Sequence, residues 1–189
     1  MSESKKSQYI IYVIVGILLQ TLILDFKIGP LLICPINLIG VVASIIGILP
    51  FSKEQNRLFK MCLPTLYIAI ILHIGFMFVS LNMDASHRGT LILVFHSMLA
   101  IILMNFTYKY TEALTWQAKF LKKEADMPLL RSAYLTYCVF IALTILADNY
   151  DVLIVTLVAR FISYAAAMYY ANSLNQLRKK IYVLIKKTR

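Results

Sequence analysis

Residues 153–170 read LIVTLVARFISYAAAMYY, eighteen positions with a single charge, Arg160. As a helix this run is about 27 Å long, close to the ~30 Å hydrocarbon core of a bilayer. It is too long for a strand and too uniformly apolar for a surface helix, so it reads as a membrane-spanning helix. The same reading then extends over the chain. Six runs qualify: Tyr9–Leu24, Pro30–Phe51, Met61–Leu81, Thr90–Tyr108, Leu129–Ala147 and Val152–Ala171.

The 189 residues are 60% hydrophobic, with a mean hydropathy of +0.76. Soluble domains hold about 45–50% apolar residues. The fold class expected is all-α: a polytopic integral membrane protein, one membrane domain over residues 1–189, built as a six-helix bundle. The opening MSESKK and the apolar run after it resemble a secretory signal. No small-residue cleavage site follows before DFKIGP, so the run is expected to stay as the first span.

Connections are short. Gly29 and Pro30 give a stop and a start between the first two helices. Asn149 suits the turn before the sixth helix, Asp151 its N-cap, and Pro128 the start of the fifth.

Charge sets the direction. Sixteen of the nineteen Lys and Arg lie in the N-terminus, 51–60, 109–131 and the C-terminus. The other three loops hold Lys27 and Arg88 against four acids: Asp25, Asp84, Asp148 and Asp151. The positive-inside rule then places both termini in the cytoplasm, in a plasma (cytoplasmic) membrane. Topology accounts for the net charge of +10 without a nucleic-acid partner. Residues 109–128 are expected to carry the fourth helix into the cytoplasm, with Trp116 and Phe120 on one face. Residues 172–189 form a basic amphipathic tail. Its Arg178, Lys179, Lys180, Lys186 and Lys187 suit anionic lipid. A solvated end, or a docking site for a cytoplasmic partner, is the alternative.

A polar layer crosses the outer half. From a rise of ~1.5 Å per residue, Arg160 and His73 lie about 12 Å below the outer edge, Asn37 about 10 Å and His96 about 9 Å. Gln20 and Thr144 are shallower. Small and polar residues also share stripes: Thr156, Arg160, Ser163, Ala167 and Tyr170 in the last helix; Cys34, Asn37, Gly40, Ser44 and Gly47 in the second; Val13, Gly16 and Gln20 in the first. Such stripes mark helix-contact faces, because lipid rewards neither property. The ligand-binding candidates are therefore Arg160, His73, His96, Asn37, Ser163 and Thr156. Asp25, Asp148 and Asp151 are the possible counter-ions.

An intramembrane guanidinium costs several kcal/mol if unpaired, about 2.5–3.5 on insertion scales. Three answers stay open for Arg160. It snorkels to Asp148, Asp151 or Asp25 as a structural pin; it faces a wet cavity and receives an anion; or it pairs with an acid on another membrane subunit. Its fork suits a carboxylate or phosphate.

Cys34, Cys62 and Cys138 lie in or at the edge of separate apolar runs without CxxC spacing, so no disulfide framework or zinc site is expected. His73 and His96 have no carboxylate at their depth, a poor metal set. Neither a metal nor a cofactor is expected. No nucleophile elbow, phosphate-cradling glycine loop or HExxH occurs, and no catalytic residue is assigned. The leading expectation is a non-enzymatic transport or ligand-recognition subunit binding a small anionic ligand or lipid headgroup. A structural or regulatory subunit of a larger membrane assembly, with a sealed core, is the alternative. The third reading is an intramembrane enzyme using His73 or His96.

Overall fold

The structure, a computed structural model, describes residues 3–22, 24–53, 57–83, 87–120, 127–149 and 152–183. The apolar runs become α1 (Glu3–Thr21), α2 (Pro35–Ser52), α4 (Cys62–Asn82), α5 (Arg88–Phe120), α6 (Met127–Asp148) and α7 (Leu153–Arg178). A short α3 (Arg57–Lys60) precedes α4, and a π-helical turn, Lys179–Val183, extends α7. The architecture is all-α apart from one hairpin.

Five segments are long and apolar enough to cross a membrane: α2, α3 with α4, α5, α6, and α7 with its π turn. The first of the six expected spans is not among them. Glu3, Lys5 and Lys6 lie in the first turns of α1, and the helix stops at Thr21 rather than Leu24. From Tyr9 that leaves about 20 Å of helix, short of the ~20 residues a span needs. The helix is nonetheless central, with Ile10, Val13 and Ile17 fully buried.

The second correction concerns residues 30–34, expected as helix. They belong to an antiparallel hairpin, β1 (Phe26–Ile28) and β2 (Leu31–Ile33), with Phe26 opposite Ile33 and Ile28 opposite Leu31. Gly29 turns the chain with φ of 61°, a left-handed conformation that glycine adopts freely. Helix α2 starts at the second proline, Pro35. The backbone N–H of Leu32 donates to Ser80 Oγ at 3.2 Å, which pins β2 to the end of α4. Helix α7 takes Val152, not Asp151, as its N-cap position. Asp151 lies outside the described residues.

The six long helices pack as a closed ring in the order α1, α2, α4, α5, α6, α7 and back to α1. Helices α1 and α5 also touch across the middle, dividing the ring into two halves. The closest pair is α1 with α2. A Cβ placed on Gly40 would lie 2.7 Å from both the Gln20 nitrogen and the Gly16 carbonyl oxygen. One on Gly47 would meet the Tyr9 carbonyl at 2.6 Å, and one on Gly16 would overlap Ser44 Oγ. The expected small-residue stripes are thus the contact itself. Gln20 Nε2 seals it by donating to Ser44 Oγ at 2.8 Å and to the Gly16 carbonyl at 3.2 Å.

Helix α5 runs unbroken for 33 residues, about 50 Å. Its last turns are part of the core: Tyr110, Ala113, Leu114 and Ala118 are buried, and Tyr110 meets Phe59 of α3 edge-on. Trp116 and Phe120 stack at 5.6 Å. In the tail, Leu174, Leu177 and Ile181 are buried. Arg178 reaches back to α1, donating to Ser7 Oγ at 2.9 Å, and holds Asn175 Oδ1 at 3.0 Å. The apolar side of this segment is therefore occupied within the fold, leaving Lys179 and Lys180 exposed. Lys186 and Lys187 lie outside the described residues.

Tyr170 ties α7 to α5. Its hydroxyl lies 2.6 Å from that of Thr111 and donates to the Thr107 carbonyl at 3.3 Å, while its ring stacks on Tyr137 of α6 at 5.6 Å. Tyr170→Phe keeps the ring and orphans a buried hydroxyl, so it is expected to cost about 1–3 kcal/mol. A melt of the detergent-solubilised protein checks this, with the exposed neighbour Tyr169→Phe expected within ~0.5 kcal/mol of wild type.

Candidate functional site

Below the hairpin, the half of the ring formed by α1, α5, α6 and α7 encloses a cavity of about 240 Å³. Its walls are mostly apolar: Leu99, Ala100 and Leu103 from α5, Ile141 and Ile145 from α6, Leu157 from α7, and Leu22 and Leu24 beyond α1. Its polar atoms come from Gln20, Thr21, Asn37, His96, Thr144, Asp148, Arg160, Ser163 and Tyr164. A second cavity of about 270 Å³ adjoins it between the first turns of α5 and α7, and His96, Asp148 and Arg160 line both. These three residues form the partition.

Each helix places its residue for a legible reason. Arg160 stands two turns into α7, on the stripe that faces α6, and Asp148 ends α6. Arg160 Nη2 lies 3.4 Å from both Asp148 carboxylate oxygens. Burial is unequal: the Asp148 side chain is 9% exposed and that of Arg160 37%. Arg160 Nε, by contrast, is buried with no acceptor among the described residues. The guanidinium thus has one side paired and one donor open.

His96 is buried, and its Nε2 lies 3.1 Å from Asp25 Oδ1. The expectation that no carboxylate reaches the depth of His96 is overturned. The chain after α1 folds back towards α5 before the hairpin, which residue counting along straight helices cannot see. The residues around the cavity therefore carry two carboxylates, one guanidinium and one imidazole.

Asn37 and Ser163 line the cavity, but their polar atoms have partners. Asn37 Nδ2 donates to the Gln20 carbonyl. Ser163 Oγ donates to the Phe140 carbonyl at 2.7 Å and hydrogen-bonds the Thr144 hydroxyl. Thr156 lies on the second cavity and donates to the Ala147 carbonyl at 3.3 Å. All three hold helices together.

His73 is not brought to this site. It sits in the other half of the ring, on a separate cavity of about 170 Å³ with Cys34, Phe76 and Met77. Its Nδ1 meets the Ala69 carbonyl at 2.7 Å, and its Nε2 is buried without a partner among the described residues. The expected depth matched that of Arg160, but among the described residues α4 packs chiefly against α5, α2 and β2. Among the described residues no group of three His, Cys, Asp or Glu could hold a metal ion.

Sequence reading did not single out Tyr164 as part of this site. It follows Arg160 by four residues, a spacing that puts both on one helix face and could have found it. The Thr21–Tyr137 hydroxyl pair at 2.7 Å, which closes the cavity wall between α1 and α6, was also missed. Its two partners are far apart in sequence and leave no local signal.

Comparison with family models, curated proteins and solved structures finds no match to this chain. The functional reading rests on the cavity itself.

Proposed function

We propose that the chain is an integral membrane protein of the plasma membrane, with both termini cytoplasmic, acting as a non-enzymatic transport or ligand-recognition subunit. It takes a small anionic ligand or lipid headgroup at Arg160, in the outer half of the membrane. The observation that carries this reading is a guanidinium at a cavity wall with its Nε–H buried and without an acceptor among the described residues. A donor in that state costs about 1–3 kcal/mol, which a bound anion recovers. The placement of positive charge supports the orientation.

The Arg160–Asp148 pair favours the second reading, a structural or regulatory subunit with Arg160 as a pin. His96 beside Asp25 is the pairing that a third reading, an intramembrane acid–base enzyme, would use.

Cysteine accessibility separates binding from pinning. The native Cys34, Cys62 and Cys138 are buried and free, so background labelling is expected to be low. Arg160→Cys in intact vesicles is expected to react with a membrane-impermeant thiol reagent added from outside, and to be protected by the ligand. A thiol there that stays unreactive from both sides leaves the pin.

A further inference from the structure

The chemistry of the cavity points to a more specific occupant, and this rests on the binding reading above. Two observations bear on it. The first is the mouth. Leu24 and Leu157 line the cavity and are themselves 47% and 57% exposed, so it opens between the end of α1 and α7. The α7 surface beside this mouth is apolar: Ile154, Val158 and Phe161 are all exposed. In a bilayer, such a mouth opens to acyl chains, while the second cavity, between the first turns of α5 and α7, is the aqueous approach to Arg160.

The second is the charge balance. A simple anion at Arg160 would lie close to Asp148, a like charge in a low-dielectric site. A ligand carrying its own cation avoids that repulsion. Its anionic group accepts from Arg160 Nε–H, and its cation meets the carboxylate of Asp148, which lines both cavities. Beneath these groups the wall is apolar, from Leu99, Leu103, Ile141 and Ile145. This cavity of about 240 Å³ adjoins the second one of about 270 Å³ at Arg160, Asp148 and His96, so a headgroup and one chain divide between the two.

We propose that the cavity holds a single-chain zwitterionic phospholipid that enters sideways between α1 and α7. The phosphate sits on Arg160, the ammonium sits on Asp148, and the chain lies between α5 and α6. A chain arriving from the bilayer moves between two apolar media, so it contributes packing against the α5 and α6 wall rather than release from water, and chain and headgroup act together.

The test uses the full chain in detergent and four probes: lysophosphatidylethanolamine; glycerophosphoethanolamine, the same headgroup without a chain; monoacylglycerol, the chain without charge; and lysophosphatidic acid, the chain with phosphate alone. The first is expected to raise the melting temperature by about 5–10 °C at a hundredfold excess over its Kd, and the other three by far less. Arg160→Gln should abolish the shift. Ile141→Phe, which fills the chain slot and leaves the charges, should cut it at least tenfold in apparent affinity and serves if Arg160→Gln does not fold. Equal protection by glycerophosphoethanolamine would overturn the chain assignment and leave the binding reading standing. Stronger protection by lysophosphatidic acid would overturn the zwitterion in favour of an anion. Equal protection by monoacylglycerol, unaffected by Arg160→Gln, would reduce the cavity to an apolar slot. No protection by any probe overturns this proposal, and the binding reading then stands or falls on the reactivity of Arg160→Cys.

Discussion

Gly40→Ala lowers the melting temperature by several degrees, while Gly75→Ala raises it slightly. Both glycines lie within long helices, so intrinsic propensity favours alanine at each by about 0.5–1 kcal/mol. Surroundings decide the sign. A Cβ on Gly75 meets nothing within 4 Å. On Gly40 it meets the Gln20 nitrogen and the Gly16 oxygen at 2.7 Å and Leu19 Cβ at 2.9 Å. Two of these are backbone atoms, which cannot rotate away, so the helices must part. Overpacking costs about 1–3 kcal/mol, and parting α1 from α2 also strains the Gln20 bonds to Ser44 and Gly16. A net loss of about 1–2 kcal/mol converts to roughly 2–8 °C in a chain of this size. Parallel melts of the two variants check it. Equal behaviour would mean that the α1–α2 contact is not as close as described.

The second large effect comes from the partition between the two cavities. Arg160→Leu leaves Asp148 with its charge and little water around it. Breaking a fully buried pair from one side costs about 3–5 kcal/mol. Arg160 is more than a third exposed, so solvent screening reduces this to about 2 kcal/mol. Asp148→Asn in the same background removes the stranded charge and is expected to recover about half of the loss. A double-mutant cycle measured by thermal melting reads the coupling directly. Additive single and double variants would show that the pair does not interact.

How far the sequence carried can be seen residue by residue. Helices α2, α4, α5, α6 and α7 were legible because each needs about 20 apolar residues and few other elements use such runs. The α1–α2 contact face was legible too, since Gly16, Gln20, Asn37, Gly40 and Ser44 have no other reason to share stripes. The hairpin was not. Leu31, Leu32 and Ile33 suit strand and helix alike, and a short apolar run carries no period to separate them. Pro30 and Pro35 can each start a helix, and only the contact of Leu32 with Ser80 decides between them. The site was half legible. Residue counting grouped Arg160, His96, Asn37 and His73 by expected depth, but lateral position depends on which helices neighbour which. That separated His73 from the rest and brought Asp25 to His96.

One consequence follows from the length of α5. His96 stands near its start and Trp116, the chain's sole tryptophan, twenty residues further on, about 30 Å along one unbroken rod. A helix without an internal proline or glycine after Gly89 does not bend readily. The element that walls the cavity thus carries a built-in fluorophore, and indole emission reads the far end of the same rod that holds His96.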